Sequence, residues 1–115
     1  MQINLVHPNR PFVVPLIEKY LAIVTNTYSE KISDIILFGS VARGEDTKES
    51  DIDLLIVGKK EDWQLERELI DLAYDIGLEY GVYLSVKYVS ADTYNRQKTF
   101  TLFQQIAMEG VSLVP

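Results

Sequence analysis

The stretch "ILFGSVARGEDTKESDIDLLIVG", residues 36 to 58, decides how this chain is read. An apolar run ends at Phe38 and meets Gly39-Ser40. A polar loop follows, and Asp51 and Asp53 then stand one residue apart at the head of a second apolar run. Residues two apart in a strand project to the same face, so the pair presents two carboxylates side by side, with Cα atoms roughly 7 Å apart. Two such charges about 5 Å apart repel by roughly 3 kcal/mol at an effective dielectric of 20. A chain serving only its own fold would avoid this. A divalent cation between the carboxylates makes the pairing favourable, because oxygen ligands are what Mg²⁺ selects.

Gly39-Ser40 directly follows the first apolar run and precedes a short turn. A missing side chain there lets backbone N–H groups approach a phosphate, and the serine hydroxyl can add a bond. A phosphate loop at one strand end and a metal-binding aspartate pair on the next strand suit a nucleoside triphosphate. Gly39 to Gly44 also has the G-x-x-x-x-G spacing of a P-loop, but Glu45 and Asp46 stand where that motif needs Lys and Ser/Thr. Acids at those positions would repel the phosphates, which excludes the P-loop reading.

Outward from this centre, the pattern alternates between helix and strand periods. Phe12, Leu16, Ile17, Tyr20, Leu21, Ile23 and Val24 recur at helical spacing behind Pro11 and Pro15, predicting a helix from about Pro11 to Thr27. Ile32 to Phe38 reads as a strand, Ser40 to Arg43 as one helical turn, Gly44 to Glu49 as a loop, and Asp51 to Val57 as a second strand. Asp62 is placed to N-cap a long helix with Trp63, Leu65, Leu69, Ile70, Leu72, Ala73, Ile76 and Tyr80 as its buried stripe, closed by Gly81. Val82 to Val89 makes a third strand, Ser90 starts a further helix, and Thr99 to Glu109 forms the last one, capped by Gly110. This order predicts an α/β (α+β) fold, a small mixed β-sheet flanked by helices, with residues 1 to 115 as a single domain.

Composition narrows the function classes. Apolar residues make up 47 % of the chain, enough for a sizeable core. No apolar run approaches a bilayer span, and the N-terminus lacks a basic flank and an apolar segment, so no membrane association is expected. The absence of cysteine excludes disulfides and thiolate zinc sites and is compatible with a cytoplasmic location. Eleven basic residues against 17 acidic ones give a net charge of −6, and no Lys/Arg cluster occurs, which argues against direct nucleic-acid binding. A nucleotide bridged by metal, or another protein, fits better.

Gly39-Ser40, ten further residues, and Asp51-Ile52-Asp53 together resemble the G-S-x10-D-x-D signature of the DNA polymerase beta nucleotidyltransferase superfamily. Arg43-Gly44 and Ser50 also fit the pattern GSxARGxxxxxSDxDL, and the closing "IAMEGVSLV" is similar to the ending of minimal nucleotidyltransferase (MNT) domains. The resemblance spans residues 32 to 113. It implies that Gly39 and Ser40 hold the triphosphate, that Arg43 adds a phosphate contact, and that Asp51 and Asp53 are the catalytic ligands of Mg²⁺. The implied reaction transfers a nucleoside monophosphate, with ATP the leading donor, to an acceptor hydroxyl. MNT domains of this size resemble antitoxins whose partner is a HEPN-domain ribonuclease, which some members inactivate by attaching AMP to a tyrosine.

One position departs from the pattern. Active members of the superfamily usually carry a third carboxylate on the next strand, where this chain has "VYLSVKYVS" with no acid. If Ser85 takes that place, Tyr83 and Lys87 share its face. Two readings follow: an enzyme, or a catalytically weak module that binds nucleotide and neutralises its partner by contact. Transfer to a small molecule such as an aminoglycoside is a third reading, disfavoured because it normally requires an extra domain.

The remaining features have plainer expectations. His7 reads as a surface residue without a second ligand. Glu68, Asp71, Asp75 and Glu79 read as a solvated acidic face, with a docking surface for a basic partner as the alternative. Most of the seven tyrosines should sit at core edges with solvated hydroxyls. The tail Val111 to Val114 should pack on the sheet edge. Exposed, it would offer a contact strip to another copy in a homo-oligomer.

Overall fold

The computed structural model describes residues 11–47 and 49–114. Helix α1 (Val13–Tyr28) leads through a single 3-10 turn (Ser29–Lys31) into strand β1 (Ile32–Phe38), the short helix α2 (Gly39–Arg43) and strand β2 (Ile52–Gly58). Helix α3 (Trp63–Tyr80), strand β3 (Leu84–Ser90), helices α4 (Ala91–Arg96) and α5 (Thr101–Glu109), and the short strand β4 (Val111–Ser112) follow. The sheet order is β3-β2-β1-β4. β1 runs antiparallel to both β2 and β4, whereas β2 and β3 are parallel and joined by α3. The sheet is therefore mixed, because a parallel pair requires a crossover and a hairpin does not.

Strand alternation sends the two faces of the sheet to cores of unequal depth. Ile52, Leu54 and Ile56 of β2, with Ile35, Leu37, Leu84 and Val86, meet the apolar sides of α1 and α3. The other face carries Leu55, Val57, Ile36 and Val89 under Ile106 of α5, a much smaller cluster. Asp53 belongs by alternation to this thinner face, one step beyond the part that α5 covers. A strand whose apolar run is buried can carry an aspartate there because the cover stops. Tyr20 is fully buried rather than at a core edge, because its hydroxyl finds a partner inside: it donates to the Leu69 carbonyl at 2.8 Å and so fastens α1 to α3.

The local signals act as read. The Asp62 carboxylate accepts from the Leu65 N–H at 3.0 Å, and Gly81 ends α3 in the left-handed region at φ 68°. Elsewhere the structure differs. Trp63 is 80 % exposed and Ile70 38 %, so neither joins the buried stripe of α3. α1 and the sheet cover the side bearing Leu65, Leu69, Ala73 and Ile76, and both residues lie rotated past it. β3 begins at Leu84 rather than Val82, because the Val82 N–H closes the end of α3 on the Gly77 carbonyl. α5 starts at Thr101, and Gly110 ends it in an extended conformation at φ −69°. The tail joins the sheet edge as β4, with Leu113 buried and Val111 exposed. The expectation for His7 lies outside the described residues.

Candidate active site

The C-terminal end of β1 and the N-terminal ends of β2 and β3 meet at one edge of the molecule, and the motif residues gather there. β1 ends at Phe38, whose register partner on β2 is Asp53. On the other side, the partner of Asp53 is Ser85. Gly39 follows Phe38 at φ 78°, a left-handed conformation that L side chains rarely adopt. A Cβ built on Gly39 would overlap Asp53 Oδ2. Glycine is required twice over here, for the turn and for the carboxylate lying against its Cα. Residues fourteen apart in sequence thus form one unit.

Asp51 lies just outside the ladder. β2 begins at Ile52, whose N–H reaches the Tyr83 carbonyl at 3.1 Å. Asp51 is exposed where Asp53 is half-buried, so the two carboxylates differ in environment. The loop before them is held by Ser50. Its hydroxyl accepts from the Thr47 N–H at 2.8 Å, and its own N–H donates to the Thr47 carbonyl at 3.1 Å. This closed turn delivers the chain to Asp51. The family pattern alone does not show this role of Ser50, although Ser two residues ahead of a strand is a common turn signal.

The electrostatics describe a site short of positive charge. Burial raises the Asp53 carboxyl above its ordinary range, and the neighbouring Asp51 raises it further. Lys87 and Arg43 pull it back by smaller amounts. Arg43, in the last turn of α2, donates to Glu45 and Glu109 at 3.1 Å each, and these two bonds raise its own pKa. The side chain expected to touch phosphate therefore ties α2 to the end of α5. Beside it, a hollow of about 150 Å³ opens between Phe38, Gly39, Arg43, Leu102, Ile106 and Glu109. Ligand pockets usually begin at about 300 Å³, so this one can take part of a nucleotide and not the whole.

The donor set fits a hard cation. Asp51 and Asp53 offer carboxylate oxygens, and no group of three His, Cys, Asp or Glu side chains suited to a metal exists among the described residues. Mg²⁺ is commonly held in this way, by one or two carboxylates with phosphates and water completing the shell. The place of a third acid is occupied by Ser85, half-buried beside Asp53, and Lys87 follows two residues on along the same face. Gly39 and Ser40 open α2, where first-turn N–H groups have no intrahelical acceptor and suit a phosphate.

A glycine turn against a paired aspartate, on a mixed sheet between helices, defines a nucleotidyltransferase domain, and residues 17–110 match that domain family, to which the chain belongs. A protein adenylyltransferase of Methanocaldococcus jannaschii is 36 % identical over 95 residues, covering 82 % of this chain and 90 % of its own length. A second from the same organism is 31 % identical over 74 residues, covering 64 % and 75 % respectively. Among solved structures, a minimal nucleotidyltransferase aligns with a TM-score of 0.56 at 27 % identity, covering 87 % of this chain and 94 % of that one. A chain from a mutant of the toxin–antitoxin MntA-HpeT aligns with a TM-score of 0.56 at 25 % identity, covering 84 % and 71 %. The chain is thus a nucleotidyltransferase of the minimal kind. Among the described residues, no helix is long and apolar enough to cross a membrane.

Proposed function

We propose that this chain transfers AMP from Mg²⁺-bound ATP to a hydroxyl of a partner protein, acting in the cytoplasm as the antitoxin of a HEPN-domain toxin. The observation that carries the reading is the Asp53 carboxylate packed against Gly39 and alongside Asp51, a charge pair built for a cation at the mouth of a phosphate turn. The protein-adenylyltransferase names of relatives 36 % and 31 % identical support the donor and the acceptor class. Likeness to a toxin–antitoxin structure supports the partner.

In the proposed reaction, the acceptor hydroxyl oxygen bonds the α-phosphorus and gives up its proton to water, the bond from that phosphorus to the β-phosphate oxygen breaks, and pyrophosphate leaves. Asp51 and Asp53 would hold Mg²⁺, which when bound would offset charge on the attacking and leaving oxygens. Gly39 and Ser40 would donate to the phosphates, and Ser50 fixes the approach of Asp51. Arg43 is a phosphate ligand only if its bond to Glu45 or Glu109 yields. Ser85 favours a second reading, a module that binds nucleotide and partner without turnover, since a serine in register with Asp53 is no base by itself.

The test is incubation of the chain, ATP labelled at the α-phosphate, Mg²⁺ and the product of an adjoining HEPN gene. Transfer that vanishes in Asp51→Asn supports the enzyme. Neutralisation of the partner with no label incorporated supports the binding module.

A further inference from the structure

The most exposed apolar side chains of α3 fall in one line that no part of the described fold covers. Trp63 is 80 % exposed, Tyr74 57 % and Leu78 63 %, with Ile70 between them at 38 %. Their spacings of seven, four and four place them on one side of a helix, and from first to last they span about 22 Å at 1.5 Å per residue. α1 packs on another side of α3, through Tyr20 with Leu69 and Lys19 with Glu79. Four large apolar groups on one side of a helix, interrupted only by Arg67, are unlike the scattered single residues of an ordinary surface.

The line ends next to the active site. At its C-terminal end a hollow of about 250 Å³ lies between Tyr74, Gly77, Leu78, Val82, Tyr83 and Leu84. The Tyr83 carbonyl holds the N–H of Ile52, the residue that follows Asp51. The hollow thus adjoins the strand end that carries the site, on the α3 side of the sheet, while Asp53 projects from the opposite face.

Charge selects the occupant. Asp71 and Asp75 border the stripe, both exposed and neither in an ion pair among the described residues. Arg67, the one basic residue of α3, stands within the line four residues after Trp63, and Glu66, Asp71 and Asp75 around it leave the face acidic on balance. A second copy would bring the same acidic border against itself, and nucleic acid would be repelled by it. We propose that this face docks the acceptor protein through a segment with apolar side chains rimmed by Lys or Arg, and so holds its hydroxyl at the site. The proposal rests on the protein-acceptor reading above and gives that reading its recognition surface.

Trp63 is the sole tryptophan of the chain, so its emission reports this face directly. The probe is a synthetic amphipathic helical peptide with leucines on one face, lysines flanking them and one tyrosine, compared with a twin carrying glutamates for the lysines. The lysine peptide is expected to shift Trp63 emission to the blue, to bind at least about tenfold more tightly than its twin, and to lose about tenfold in Tyr74→Ser or Leu78→Ser. Both changes are at exposed positions, and unchanged urea midpoints confirm that the variants fold. Equal binding of the twins, equal binding by the variants, or a dimer in sedimentation that Leu78→Ser dissolves would overturn the proposal. Calorimetry with Mg²⁺ and ATP on the same samples separates the two failures. Intact nucleotide binding without peptide discrimination removes the docking face alone, and peptide binding without any nucleotide binding removes the catalytic reading alone.

Discussion

Replacing Asp53 with asparagine keeps the shape of the side chain and removes one of two neighbouring charges. With the charges about 5 Å apart, the repulsion is roughly 0.8 kcal/mol at the dielectric of water and roughly 3 kcal/mol at an effective value of 20. Asp51 is exposed and Asp53 only half-buried, so solvent screening keeps the gain near the lower figure. The sign follows from the direction of the pKa shift. Burial first and Asp51 second raise the folded-state pKa of Asp53. The native state then binds more protons than the unfolded one between the ordinary and the raised value, so stability falls as pH rises through that window. Urea unfolding without metal at low salt should find Asp53→Asn as stable as the wild type or up to about 1 kcal/mol more so at neutral pH. That advantage should shrink with added salt and disappear below the ordinary carboxylate pKa. Saturating Mg²⁺ with ATP should reverse the order, because a ligand that binds only the native wild type stabilises it alone. Loss of more than about 1 kcal/mol in the variant at low salt, outside the range of the repulsion, would show the carboxylate to be a structural bond and refute the reasoning.

Three further outcomes follow. Gly39→Ala should cost roughly 1–2 kcal/mol for its left-handed backbone alone and abolish nucleotide binding by displacing Asp53, measured by urea unfolding and calorimetry. Ser85→Asp places an acid in register with Asp53 and should raise labelled-AMP transfer by roughly 10²- to 10⁴-fold if a positioned base is what the site lacks. Gain in Tyr83→Asp and none in Ser85→Asp would place the missing acid two residues earlier on the strand. Tyr20→Phe removes the buried bond to the Leu69 carbonyl and should cost roughly 0.5–1.5 kcal/mol in thermal or urea unfolding with transfer unchanged.

What could be read from the sequence was local. β1 has its expected bounds, Asp62 and Gly81 cap α3 as their chemistry dictates, and the glycine turn and aspartates occupy adjacent strand ends. Periodicity reports which side of a helix is apolar and says nothing about what covers it, so it places Trp63 and Ile70 in a core that ends before them. Contacts between distant residues were equally hidden. Arg43 meets Glu109 sixty-six positions away, and no spacing rule connects them. Asp51 and Asp53 shared a face in the alternation argument, yet their burial differs because the ladder starts between them.

The central claim is that nucleotide is held through a cation on the Asp51–Asp53 pair. Calorimetry of the wild type with ATP, CTP, GTP and UTP, each with Mg²⁺ and again with chelator, addresses it without needing the acceptor. The account predicts heat with Mg²⁺ and ATP that chelator abolishes, and none in Asp53→Asn of undiminished urea stability. No heat with any of the four nucleotides, or equal heat in the wild type and Asp53→Asn, would contradict it.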